Sequence, residues 1–306
     1  MPTVSVITAV YAPGAFYLAE TINAVAEQAL PPGWDLEWMV QEDGTNPSLA
    51  DRLAGLDHVR YGANGAQLGI PGTRNLALAA ATGDLVQVLD ADDILLPGAL
   101  AALIPQFQDA SIHWAVGQAD DLLPDGTRMP WESALPYGRI PAGAVNAWAE
   151  AHGGNWPIHG AGLMLRSTSL RALGGWAGLP VDEDLGMFAA LSEIADGHNF
   201  DGVTWLYRQH PDQVTRSSAN RHLSEAGRRF ALQRASAVRI ADLSFGPKAE
   251  FAFGQLGHRV CVGPAAKAPR LIDTANRDDA VTKSATEQVA GGGARAHPPA
   301  PVRKLH

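Results

Sequence analysis

Four short apolar runs, each followed by a helical stretch or a turn, constrain this chain more than any other feature. Val4–Val10, Leu36–Val40, the stretch "HVRY" (residues 58–61) and Leu85–Leu89 are rich in β-branched and aliphatic residues and read as strands. Between them, Phe16–Ala29 carries Leu18, Ile22, Val25, Ala26 and Ala29 at helical spacing. Residues 47–56 read as a short helix with Ser48 as a candidate cap, and residues 73–82 ("TRNLALAAAT") as a third helix. Strands alternating with helices imply an α/β fold, a mostly parallel sheet with helices on both faces. Ligands on such sheets bind beyond the carboxyl ends of the strands.

Two acidic clusters fall at strand ends. Asp90, Asp92 and Asp93 follow the fourth run, and Glu42-Asp43-Gly44-Thr45 follows the second. In extended chain alternate side chains face the same way, so Asp90 and Asp92 can reach one cation. Hard divalent ions take carboxylate oxygens and leave room for phosphate oxygens. A solvated turn with capping acids is the plainer alternative for the first cluster, and an Asp-Gly turn for the second. In "QLGIPGTRN" (67–75), Arg74 and Asn75 lie near a helix start that points toward the strand ends. Arg74 there contacts a phosphate or orders the carboxylates.

Beyond residue 110 the pattern loosens. "SIHWAVGQADDLL" reads as a strand and turn, residues 124–157 as loops around a short helix, and residues 160–176 as a strand, a short helix and a Gly-Gly stop. "DEDLGMFAALSEIADG" reads as a helix with acids in its first turn, "GVTWLYRQH" as a strand and residues 221–242 as an amphipathic helix. In "VDEDLG" (181–186), Asp184 and Asp182 are both candidates for a general base, with helix-dipole complementation as the alternative. His210, after a strand and before a proline, is a candidate metal or phosphate contact or a plain surface histidine. Trp114, Trp131, Trp148, Trp156 and Trp176 are expected mostly in the core, with stacking on a sugar face open to them.

The 306 residues are 46% hydrophobic and 18% charged, with a net charge of −9. Nothing in that balance favours a nucleic acid or an anionic membrane surface, since both want clustered Lys and Arg. The one cysteine, Cys261, rules out an intrachain disulfide framework and fits a reducing compartment. No apolar run approaches the length of a membrane helix, and the N-terminus opens into "TVSVITAVY" without a basic leader. A cytoplasmic, soluble protein is the expectation. From about residue 264 the Ala/Gly/Pro-rich sequence is expected to be a disordered tail.

The stretches "PTVSVITAVYAPG", "EDGT", "QLGIPGTRNLALAAATGD" and "VLDADD" resemble, in order, the signature segments of family 2 glycosyltransferases, which have the nucleotide-sugar-binding GT-A fold. "GAGLMLRSTSLRALGGW" is similar to the acceptor-side segment, "VDEDLGMF" to the segment that supplies the base, and "YRQHPDQVT" to the Tyr-Arg-x-His ending. The resemblance covers roughly residues 3–218. The departures are Glu42 for Asp and Gln67 for Asn, and residues 118–158 match no pattern.

The resemblance implies a metal-dependent inverting transfer from a nucleotide sugar, with uridine as the base, to an acceptor hydroxyl of unnamed class. It implies that Asp43 holds the nucleobase or ribose. Thr8, Ala9, Tyr11, Glu42, Gly69, Arg74, Asp90 and Ala91 complete the donor set. Asp90 and Asp92, with His210 as a further ligand, hold Mg²⁺ or Mn²⁺, and Asp184 or Asp182 takes the acceptor proton. Residues 1–110 are then the donor half, 111–242 the acceptor half of the same domain, and 243–306 an extension. Competing readings are a non-catalytic sugar-nucleotide-binding protein and an Asp-nucleophile phosphatase. The latter normally places its acids after the first strand.

Overall fold

Side-chain alternation along the first strands decides which face each residue buries. Val4, Val6 and Val10 of β1 (Thr3–Tyr11) pack on one face, together with Trp38 and Val40 of β2 (Asp35–Asp43); Ile7 and Met39 pack on the other. The computed structural model describes residues 1–211, Gln213 and residues 218–245. The expectations for Cys261, for the tail from 264 and for most of the 243–306 extension lie outside these residues.

The remaining elements in chain order are α1 (Leu18–Ala26), α2 (Ala50–Leu53), β3 (Val59–Ala63), α3 (Gly69–Ala80), β4 (Leu85–Val88), β5 (Ile94–Leu95), α4 (Ala99–Leu103), β6 (Ile112–Leu122), β7 (Arg128–Pro130), β8 (Gly138–Ile140), α5 (Ala144–Ala151), β9 (Met164–Arg166), α6 (Ser167–Ala172), α7 (Glu183–Ile194), β10 (Asp196–Arg208) and α8 (Ser218–Ile240). They form one sheet in the order β3-β2-β1-β4-β9-β6-β10-β5, with β7 on β6 and β8 on β10. The long ladders β1/β2, β2/β3, β1/β4 and β6/β10 are parallel, as expected. Short β9 runs antiparallel to both β4 and β6 and joins them into one sheet. Leu18 and Val25 of α1 and Leu100 and Leu103 of α4 close one face of the sheet; Leu78 of α3 and Phe188 and Leu191 of α7 close the other. Each such buried aliphatic or aromatic side chain contributes roughly 1.5–3 kcal/mol.

Local chemistry moves several boundaries. α1 starts at Leu18 rather than Phe16, because a 3-10 turn at Ala12–Gly14 precedes it and leaves Phe16 70% exposed. Ser48 does not cap α2; its backbone N–H donates to Glu42 Oε1 at 2.8 Å. α3 starts at Gly69, since Pro71 is tolerated in a first turn and Asp43 caps it from β2. Strands β7 and β8 lie in the stretch expected to be loops, and β10 starts at Asp196, before its expected beginning.

Candidate active site

A cleft of about 660 Å³ opens where β1 and β4 end. Ala9, Tyr11, Arg74, Asp90, Ala91 and Asp92 line it. So do Asp182, Glu183 and Asp184, at the start of α7, together with His159, Gly160 and His210. The turn 90–93 is fixed from several directions. Thr21 Oγ1 donates to the carbonyl of Ala91 at 2.9 Å, and Arg208 Nε to that of Asp92 at 2.7 Å. The Arg208 guanidinium lies over the Tyr17 ring, and Tyr17 in turn packs against His210. The end of β10 thus holds the acidic turn in place.

Arg74 joins the two sides of the cleft. It is 3% exposed, donates through Nη2 to Asp90 and through Nη1 to Glu183 Oε1 at 2.7 Å. Burial disfavours its charge, but Asp90, Glu183 and Asp184 outweigh burial and raise its pKa. Glu183 is pushed up to about 7, first by burial and then by Asp184, while Arg74 pulls it down. Sequence reasoning passed over Glu183. The signal available was that a buried arginine needs a carboxylate partner. Asn75 works beside Arg74: its amide accepts from the Trp176 backbone N–H and donates to the Trp176 carbonyl, tying α3 to the turn before α7.

The two candidate bases differ in their surroundings. Asp184 accepts from its neighbour's backbone, Leu185 N, at 2.8 Å and packs on Gly160. Asp182 occupies the position before α7 with φ 55° and accepts from Ser224 Oγ at 2.7 Å. Burial, then Asp184, raises the Asp182 pKa.

The acidic turn suits a hard cation. Asp90 and Asp92 side chains are 35% and 30% exposed to the cleft. Burial and the like charge of Asp90 raise Asp92, against a hydrogen bond from His210 Nε2 at 2.8 Å. Carboxylate oxygens and an imidazole nitrogen are donors for a divalent ion, and the charge it brings would relieve the repulsion between the aspartates. Among the described residues no three His, Cys, Asp or Glu side chains are already gathered as a metal cage. The remaining ligands would come from phosphate oxygens or water. Asp93 is no part of such a set: it is 1% exposed, accepts from Arg208 N at 3.0 Å, and burial with its two acidic neighbours raises its pKa well above the usual range.

Four residues expected in the donor set lie outside the lining of this cleft. Thr8 is fully buried and accepts from Trp38 Nε1, so its side chain does not line the cleft. Glu42 is 1% exposed and accepts from Ser48 N, Leu49 N and Tyr61 Oη, holding the loop after β2. Burial, then this Glu42 bond, pushes Tyr61 up to about 12. Asp43 accepts from Asn64, Leu68 N and Gly69 N, and neither Asp43 nor Gly69 borders the cleft. Ala9, Tyr11, Arg74, Asp90 and Ala91 do border it. Among the tryptophans, Trp114 and Trp176 are core, whereas Trp131 is 42% exposed.

A parallel strand–helix region with acids at its strand ends, continued by further strands of the same sheet, is the architecture of GT-A nucleotide-sugar-binding proteins. The profile of glycosyl transferase family 2 matches residues 5–161, and the chain belongs to that family. It is 33% identical to an uncharacterized glycosyltransferase of Nostoc sp. over 129 residues, 40% of this chain and 38% of that protein. It is 29% identical to the succinoglycan biosynthesis protein ExoO of Rhizobium meliloti over 141 residues, 45% of this chain and 40% of that protein. The chain thus spans about two fifths of the length of the curated relatives it matches. Among solved structures it is similar to S. aureus TarS in complex with UDP-GlcNAc, at TM-score 0.56 and 15% identity, covering 79% of this chain and 73% of that one. TarS in complex with UDP gives TM-score 0.55 at 15% identity, with 79% and 72% covered. Among the described residues no helix is long and apolar enough to cross a membrane.

Proposed function

We propose that the chain is a metal-dependent inverting glycosyltransferase that moves a sugar from a uridine-diphosphate sugar to an acceptor hydroxyl in a single displacement. The observation that carries this reading is that Asp90 and Asp92 line the same cleft as Asp184. The UDP and UDP-GlcNAc complexes of TarS support the donor class. Residues 1–110 are read as the donor half and 111–242 as the acceptor half. The one cysteine in the sequence supports a reducing compartment, the cytoplasm.

Asp90 and Asp92, with His210, would hold Mg²⁺ or Mn²⁺. Such an ion supplies positive charge to the diphosphate as it departs. Asp184 takes the proton from the acceptor hydroxyl while that oxygen bonds to the anomeric carbon. The bond from that carbon to the diphosphate oxygen breaks, and the configuration inverts without a covalent intermediate. Arg74 keeps Asp90 and Glu183 in register across the cleft. Tyr11 and Ala9 border the donor end.

The test is a thermal-shift panel of UDP, GDP, ADP and their sugars, with and without Mn²⁺. A ligand that binds only the folded state raises the melting temperature. A shift with UDP that needs Mn²⁺ and is lost in Asp92→Ala supports the reading. No shift with any nucleotide at millimolar concentration refutes it.

A further inference from the structure

Each arginine side chain described on α8 finds a carboxylate or a backbone carbonyl, except Arg228. Arg229 pairs with Glu225, Arg239 pairs with Glu193 and Glu150, and Arg234 donates to the Gly186 and Leu173 carbonyls. Arg228 lines the cleft and donates through Nη1 to the neutral amide oxygen of Asn155. It forms no ion pair among the described residues, and its Nε is buried without an acceptor. With Nη1 engaged, the edge left is that of Nε and Nη2. Those two donors point the same way and take two oxygens of one anion side by side.

The guanidinium is held where a ligand would meet it. Asn155 Nδ2 donates to the His152 carbonyl at 3.1 Å, which leaves the amide oxygen for Arg228. A β-carbon on Gly154 would lie 3.7 Å from the Arg228 Cβ, so α8 packs closely on this turn. One helical turn earlier, Ser224 Oγ donates to Asp182 at 2.7 Å, and a β-carbon on Gly227 would lie 3.0 Å from the Asp182 Cβ. The helix thus sets Arg228 in the cleft beside the chain that carries Asp182 and Asp184.

The other cations that border the cleft are matched. Arg74 pairs with Asp90 and Glu183, and His210 with Asp92. Burial keeps His159 neutral against the pull of Asp184 and Asp121. Arg228 acts on Asp182 through its charge without pairing with it. Asp182 and Asp184 would repel a dianion, whereas a single negative charge is balanced by the Arg228 fork.

Resting on the transferase reading above, we propose that Arg228 is an anion subsite for the acceptor. The acceptor carries one negative charge, a carboxylate or a phosphodiester, that docks on Nε and Nη2 and leaves a hydroxyl of the same molecule facing Asp184. The anion takes no part in bond making. The hydroxyl oxygen bonds to the donor's anomeric carbon, its proton passes to Asp184, and the nucleoside diphosphate leaves with the electrons of the broken bond.

The full chain, saturated with UDP and Mn²⁺, is titrated calorimetrically with three probes on one ring. They are methyl glucoside, methyl glucuronide and methyl glucoside bearing a methyl phosphodiester at O6. UDP affinity is measured first for each protein. At least one anion is expected to bind about tenfold more tightly than the neutral glucoside, and the preferred anion tells carboxylate from phosphodiester. Arg228→Gln is expected to erase that advantage with UDP affinity retained, and Arg228→Lys to recover only part of it, since it keeps the charge without the fork. Asn155→Asp keeps the arginine but gives it a carboxylate from within the chain, and is expected to erase the advantage too. Anions that bind no better than the neutral glucoside overturn the proposal and leave the transferase reading standing. So does an advantage that survives Arg228→Gln, or a UDP affinity that falls in step with it, which would place Arg228 on the donor. Failure of the parent chain to bind UDP overturns both.

Discussion

Gly160 and Asp184 stand so close that a β-carbon built on Gly160 would lie 2.5 Å from the Asp184 Cβ. Real side chains do not approach that closely, so a residue larger than glycine at 160 moves the first turn of α7. We expect Gly160→Ala to lower kcat by at least about tenfold, since small displacements of a positioned base are costly. Donor affinity should be retained, because the Asp90–Asp92 turn lies on other elements. Equal kcat in the variant would show that α7 absorbs the methyl group elsewhere.

The two candidate bases separate in the same assay. Asp184→Asn should lower kcat by about 10²–10⁴-fold, the usual worth of general base catalysis, with nucleotide affinity intact. Asp182→Asn should have a much smaller effect, because the Asp182 carboxylate is already held by Ser224. The reverse order of effects would assign the proton transfer to Asp182.

Removing the buried cation tests the bridge across the cleft. Arg74→Met leaves Glu183 buried without its partner, and breaking such a pair costs about 3–5 kcal/mol. Urea unfolding should show that loss, and Arg74→Met with Glu183→Gln should recover part of it. A single variant as stable as the parent would mean that solvent reaches Glu183.

Glu183 also makes stability depend on pH. Its carboxyl has an ordinary pKa of 4.5 and sits at about 7 in the folded chain. Below 4.5 it is protonated in both states and contributes no difference. Between 4.5 and about 7 the unfolded chain ionises first, so the folded state binds more protons and stability falls as pH rises. Above that window the loss is complete. Asp92, Asp93 and Asp182, also raised, act in the same sense. The specific expectation is therefore a difference: Glu183→Gln should show a shallower decline between pH 5 and 7.5 in urea unfolding. Parallel curves for parent and variant would remove Glu183 from the pH dependence.

The strands and helices of residues 1–110 were legible in the sequence because their signals are local. Period-two burial marks β1, β2 and β4, and Asp90 and Asp92 sit directly after an apolar run. Even the inward side chain of Thr8 was readable, since it shares parity with Val4, Val6 and Val10. What could not be read depends on distant partners. Arg74 and Glu183 are 109 residues apart. Asp43 caps a helix 26 residues on, which no local pattern announces. β7 and β8 have three residues each, too few for any period to show. β9 is just as short, and its antiparallel place between β4 and β6 follows from packing alone.

That place of β9 limits how the cleft can work. Because β4, β9 and β6 share backbone hydrogen bonds, the strands that lead to the Asp90–Asp92 turn and those beyond residue 110 cannot swing apart about a hinge without tearing the sheet between them. A substrate would then meet one continuous floor, on which the acidic turn at 90–93 is already pinned by Thr21 and Arg208.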